Sequence, residues 1–342
     1  MANLTRASKE LYQRQPDERF ASLNNLTQYC RKQKEQSIDR WQPLTQLAVV
    51  PIEQSLNITA GSDGAFTFNE WSFSQLCSLA RVNKDTIARL SPDTASRVFA
   101  ETLRPTSNKP LQLLTSSSQL RSIHGASYTR LWNLELVNVL QEFAVDFQPP
   151  QAGGNGATGL YAGEQDMFAF MIDPTGWAEI DGQSFAPGFF VWNSEVGKRS
   201  LGISTFWFQA VCRNHIVWDA VEFVEVSRKH TASVHEALVD VRRAIEQLVA
   251  KRDARKDGFV RVVRKAMQEK LGDDAEDVMK VLAANGITKP LAKRALESAK
   301  VHGAFTIFAL VDALTRMAQE EQNAGDRLAA DESAAKLLAF AT

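Results

Sequence analysis

Three runs decide the fold: DMFAFMI (Asp166–Ile172), FAPGFFVWN (Phe185–Asn193) and LGISTFWF (Leu201–Phe208). Each is short and rich in aromatic or β-branched residues, and Gly, Pro and Asp punctuate the spaces between them, which is the signature of strands joined by turns. Turn residues rather than long helices separate them, so an antiparallel or mixed sheet is expected. Consecutive aromatics on a strand point to opposite faces. In Phe189–Phe190, Trp192 and Phe206–Trp207–Phe208, one ring of each pair can fill a core while its neighbour is offered to a partner or covered by a helix.

Outward from these runs, Leu111–Thr115 and Leu120–Leu131 also read as strands, and residues 111–230 are expected to hold the main sheet. Glu135–Phe143 reads as a short helix, and PPQAGGNGATGLYAG (Pro149–Gly163) as a loop. Nearer the N-terminus, Leu44–Thr59 with Pro51 inside it suits an edge strand or a strand–bend–strand. Gly61–Gly64 is a turn leading to a strand at Ala65–Asn69. Ser72 or Ser74 is expected to cap a helix running to Ala80, Thr86–Leu90 begins a second, and Ser91–Pro92–Asp93 a third with Pro at its first position. The first forty residues are polar and read as helical. From Ser233 onward Val234, Leu238, Val241, Ile245 and Leu248 recur at helical spacing. The fold class is α+β: a central antiparallel or mixed sheet, N-terminal helices and a helical C-terminal third. Residues 1–232 form the mixed part and 233–342 the helical region.

A chain of 342 residues, 44% hydrophobic and 23% charged, can bury a substantial core. Its net charge of −1 means that a polyanion can be held only by a local patch. Cys30, Cys77 and Cys212 are odd in number and far apart, so a disulfide framework is not expected. No apolar run reaches membrane-spanning length and the N-terminal residues are polar, so a cytoplasmic protein without a membrane partner is expected.

The chemistry-bearing patterns are few. KRDARKDGFVRVVRKAMQEK (Lys251–Lys270) sets Lys251, Arg252, Arg255, Lys256, Arg261, Arg264, Lys265 and Lys270 against Asp253, Asp257 and Glu269, a local +5 suited to phosphate. Arg31, Lys32 and Lys34, then Lys198 and Arg199, are the other basic clusters, with Arg121, Arg130 and Arg213 on strand-like segments. A solvated helix face is the usual origin of such runs. Phe73–Leu90 resembles a helix-turn-helix that would present Lys84, Thr86 and Arg89 to DNA, although two packed helices explain it as well. Cys212, His215, His230 and His235 form C-x2-H…H-x4-H, residue types that can hold zinc at an uncommon spacing; scattered histidines and a buried Cys are the commoner origin, and no metal is assigned. Glu164, Asp166, Asp173, Asp181 and Glu195, with Lys198, are the residues a metal-dependent nuclease would use, although acids at strand ends are usually turn formers. Gly153–Gly163 can cradle phosphate but lacks the Gly-Lys-Ser/Thr ending of a nucleotide loop. No G-x-S-x-G, H-E-x-x-H or dinucleotide fingerprint is present, and no cofactor is implied.

RQPDERFASL (Arg14–Leu23), GLYAGEQDMFAFMID (Gly159–Asp173), GFFVWNSEVGKRSLGISTFWFQAVCRNHIVW (Gly188–Trp218) and SRKH (Ser227–His230) resemble the phage/plasmid-like family called domain of unknown function 932, as do Phe73–Leu90 and the segment from Thr306 to Leu328. The resemblance covers most of the chain. It implies a setting of prophages and plasmids, near replication and recombination functions, and brings no agreed catalytic residue. The function expected is a non-catalytic nucleic-acid-binding protein of mobile-element DNA metabolism, single-stranded DNA being the favoured partner, for binding or annealing. The expected binding residues are Arg31, Lys32, Lys198, Arg199, Lys251, Arg255, Arg261, Arg264 and Lys265. A metal-dependent enzyme acting on nucleic acid, or an assembly protein forming homo-oligomers, are the alternatives.

Overall fold

The computed structural model describes residues 18–103, 109–150, 158–209, 215–217, 225–301, 305–320 and 337. Helix α1 (Leu23–Glu35) opens at Ser22, whose side chain accepts from the Asn25 N–H and so satisfies one of the orphan donors of the first turn. Strand β1 (Ser37–Gln42) follows, then β2 (Leu47–Ile52), β3 (Ser55–Ala60) and β4 (Ala65–Phe68). Pro51 sits on β2, which lies at the sheet edge, where a missing N–H removes no ladder bond.

Helix α2 (Glu70–Ala80) is capped by Asn69 in a capping box with Ser72, ahead of the expected caps at Ser72 or Ser74, and it ends at Arg81 in the left-handed conformation. The short α3 (Lys84–Ile87) and α4 (Pro92–Thr102) follow; Ser91 caps α4 and Pro92 starts it, as the sequence predicts. Strands β5 (Leu111–Ser116) and β6 (Gln119–His124) complete a six-stranded sheet in the order β1-β5-β6-β4-β3-β2, mixed because β4 and β6 run parallel. Leu76, Cys77, Ile87, Ala95 and Phe99 of the three helices cover one face of this sheet.

Between β5 and β6 the register shifts: Leu114 faces Ser122 but Thr115 faces Leu120. Arg121 is thus the extra residue of a β-bulge. The sequence Leu-Arg-Ser-Ile shows why. Leu120 and Ile123 both belong to the helix-covered core, and an unbroken period of two would place them on opposite faces. The bulge lets both point inward while Arg121 turns to the other side.

After α5 (Asn133–Glu142), strands β7 (Leu160–Ala162), β8 (Met167–Ile172), β9 (Ala178–Ile180), β10 (Gln183–Asn193), β11 (Leu201–Gln209), β12 (His215–Val217) and β13 (Glu225–Arg228) build a second, seven-stranded sheet centred on the antiparallel β10–β11 hairpin. The expectation of one main sheet over 111–230 is corrected here. Residues 111–124 join the first sheet, and residues 125–131 form a connection rather than the end of a strand. Residues 160–162, read as loop, are a buried strand.

The helices α6 (Val234–Ala250), α7 (Arg252–Gln268), α8 (Ala275–Ala284), α9 (Lys289–Val301) and α10 (Ile307–Glu320) complete the chain. On one face of the second sheet, Phe189, Val191, Leu201 and Ile203 pack with α1, α5 and α6. Farther along that face Phe185 and Trp207 pack with α7 to α10, and the rings of Trp207 and Phe259 stack at 3.9 Å. The opposite face buries Tyr161, Phe168, Phe170, Phe190, Trp192 and Phe206. The change of element type near residue 232 is therefore not a gap between cores. Among the described residues no helix is long and apolar enough to cross a membrane.

Candidate functional site

Two surfaces concentrate charged and aromatic side chains: the junction between the sheets and the outer face of α7. At the junction, residues 193–199 of the β10–β11 turn press against β6, α2 and the connection 125–132, and β1 joins through Arg121 and Arg130. Arg121, released by its bulge, is 2% exposed. Its Nε donates to Glu164 Oε1 (2.9 Å), and its Nη1 to Glu195 Oε1 (2.8 Å) and Ser37 Oγ (3.0 Å). Burial alone lowers the guanidinium's pKa, but Glu195 and Glu164 outweigh it and hold the group above its ordinary value. Glu195 Oε2 accepts from the Asn133 N–H at the start of α5. Arg130 grips Asp39 with two nitrogens, Nη2 at 2.7 Å and Nε at 3.0 Å, a bidentate pairing of fixed geometry.

Beside this network stand three stacked rings. His124 lies on Tyr128 with centroids 3.6 Å apart and planes 7° from parallel, and Tyr128 lies on His230 at 5.4 Å. The Val196 carbonyl is held by Trp71 Nε1 (2.8 Å) and His124 Nε2 (3.0 Å). A carbonyl only accepts, so His124 carries its proton on Nε2. Burial, then the nearby Arg130, push His124 down to about 4; burial likewise takes His230 to about 4. Both imidazoles are neutral near pH 7. Gly197 allows the close approach: at φ +72°, a Cβ there would lie 2.5 Å from His124 Cε1.

The carboxylates that would serve a metal-dependent enzyme do not converge. Glu164 and Glu195 serve Arg121, Asp166 pairs with Arg199, and Asp173 pairs with Arg252 while capping the turn at Thr175 and Gly176. Asp181 sits at φ +48° in the turn after β9. Of the zinc pattern, the two described side chains, His230 and His235, face different partners. The His230 ring is buried against Tyr128, His235 faces Glu135 at 3.7 Å, His215 is placed only as strand backbone, and Cys212 lies outside the described residues, as does Arg213. Among the described residues no three His, Cys, Asp or Glu side chains group to hold a metal ion. Residues 153–157 of the glycine loop also lie outside the described residues.

The helix-turn-helix expectation is overturned. Its second helix, α3, has four residues, Ile87 is buried in the sheet core, and Lys84 pairs with Glu70 at 3.0 Å. That is too short to read a groove. The sheet aromatics offered for base stacking are also corrected: Phe189, Phe190, Trp192, Phe206 and Trp207 are at most 2% exposed and only Phe208 is partly open. With both faces covered, those five rings are closed to a base.

The basic residues separate into three groups. Arg31 and Lys32 are exposed on α1, while Lys34 of the same turn faces Glu135 and the Trp132 ring. Lys198 lies 4.3 Å above the Trp71 ring, and Arg199 is held by Asp166 and the Phe168 ring. On α7, Phe259, Val263 and Ala266 face the core, whereas Arg261, Arg264 and Lys265 are exposed along a shallow groove with Gln268. Lys251 is exposed at the α6–α7 joint. Arg255 is a correction: it points inward, 5% exposed, and burial lowers its pKa to about 10, so it is no surface contact. No protein-family model, curated protein or solved structure matches the chain. Function must be read from these residues.

Proposed function

We propose that the chain is a non-catalytic nucleic-acid-binding protein that grips phosphates through the outer face of α7. The observation that carries this is the spacing of Arg261, Arg264 and Lys265. At i, i+3 and i+4 they share one helix face, all exposed, and among the described residues Arg261 and Arg264 make no ion pair. The junction cations do the opposite, since Arg121, Arg130 and Arg199 are spent on internal carboxylates. In a molecule of net charge −1, exposed cations gathered on one face, Arg261 and Arg264 among them without an ion pair among the described residues, are the resource a polyanion requires. The resemblance of Gly159–Asp173 and Gly188–Trp218 to the phage/plasmid-like family favours the same partner, in the DNA metabolism of mobile elements. The test is the binding of labelled single- and double-stranded DNA by the full chain at low salt. Replacing Arg261, Arg264 and Lys265 together by Ala is expected to weaken both; absence of binding by the parent defeats the reading. An assembly role is the second reading, favoured by Ile38 (53% exposed) and Trp41 (48%) on the edge strand β1.

A further inference from the structure

The junction carries a groove that neither the zinc pattern nor the sheet aromatics foretold. Helix α2 presents Trp71, Ser74, Ser78 and Leu79 along it at helical spacing, and His124 and Gly197 form the opposite wall. Its volume, about 450 Å³, suits a small ligand or a short piece of chain. The indole is pinned in place, since its Nε1 donates to the Val196 carbonyl at 2.8 Å. Over one face of that ring stands the Lys198 ammonium, 4.3 Å from its centre, and among the described residues this lysine makes no ion pair. Lys198 stands beside the groove, next in sequence to Gly197 of its wall; the serine hydroxyls and the exposed Leu79 line the groove itself, which has both polar and apolar walls.

We propose that this groove holds an unpaired nucleobase of a single strand, stacked on Trp71, with Lys198 moving from the ring to the adjacent phosphate. A nucleotide is the ligand whose chemistry matches both partners at once: its flat π-face stacks on the indole, and its anion receives the cation beside the ring. A duplex keeps its bases stacked within and offers the phosphate without the π-face. The inference rests on the nucleic-acid reading above and adds a strand preference to it. The α7 face then supplies charge to any strand, and the groove selects single ones.

The test uses the full chain with a fluorescein-labelled oligothymidine and a labelled duplex, read by anisotropy. Trp71→Ala is expected to lower single-strand affinity by about 5- to 160-fold, the effect of removing one stacking platform. Trp71→Phe, which keeps a ring, is expected to lose less, and duplex affinity is expected to stay at the parent's value in both. Ser78→Glu, at an exposed position of α2, places an anion in the groove without touching the core, and it is expected to lose single-strand affinity alone even if Trp71→Ala fails to fold. Single-strand affinity equal to the parent's in Ser78→Glu and in folded Trp71→Ala, with the α7 triple variant still impaired, overturns the groove and leaves the α7 reading standing. Equal losses on both probes also overturn the groove. A parent that binds neither probe overturns both.

Discussion

At Arg121 the strand gives up one ladder position, and the guanidinium so released is buried where Glu195 and Glu164 meet it. A charge held this way is costly to orphan. Glu195→Gln is expected to destabilise the protein by about 3–5 kcal/mol, because the arginine loses the carboxylate buried with it. Arg121→Met with Glu195→Leu should recover most of that loss, since Glu164 remains accessible to water; urea unfolding of the three proteins checks both expectations. A second expectation concerns pH. His124 and His230 titrate near 4 in the folded protein, below their ordinary 6.5, so the unfolded chain binds more protons between those values. Their contribution is complete above about pH 6.5 and is lost as the pH falls to about 4, by up to about 1.4 kcal/mol per pH unit for each. Denaturation at pH 7 and pH 5 should show a flatter dependence in His124→Gln/His230→Phe than in the parent; the same dependence in both would refute the assignment.

Among the elements, β2, β3, α4, α5 and the hairpin strands were legible because local chemistry marks them: Pro51 at an edge, Ser91–Pro92 at a helix start, aromatic runs between turns. Strand β1 was not, because Ser-Ile-Asp-Arg-Trp-Gln is mostly polar and follows a helix without a breaker. Its side chains serve the junction, where Asp39 meets Arg130 and Ser37 meets Arg121. The bulge was hidden too, since Leu120 and Ile123 at a spacing of three suit no regular strand. Trp71 and Lys198 lie 127 positions apart, and only the fold brings them together. The C-terminal helices were legible as helices, but not their anchorage on Phe185 and Trp207 through Phe259. Phe259→Ala is expected to cost about 3–5 kcal/mol, as large core truncations do. It should release α7 to α10 to limited proteolysis before the β10–β11 hairpin is cut; cleavage in the reverse order would show that these helices are anchored elsewhere.

At the scale of the whole molecule, two of the three basic groups lie at opposite ends of the β10–β11 hairpin. Lys198 is at the turn of the β10–β11 hairpin, while α7 packs at its far end beside Phe185 and Trp207. Eight residues of strand separate Phe185 from Asn193, about 26 Å at about 3.3 Å per residue. That exceeds the Debye length of about 10 Å at 0.1 M salt, so the two ends act on a bound strand independently. The salt dependence of duplex binding should therefore report α7 and not Lys198. Each phosphate contact contributes about 0.9 to the slope of log affinity against log salt, so replacing Arg261, Arg264 and Lys265 by Ala should flatten that slope by about 2.7. The loss should be the same for duplexes of different sequence, because phosphates carry no sequence information. A slope unchanged by the triple substitution would place the duplex contacts elsewhere, with the exposed Arg31 and Lys32 of α1 the next residues to replace.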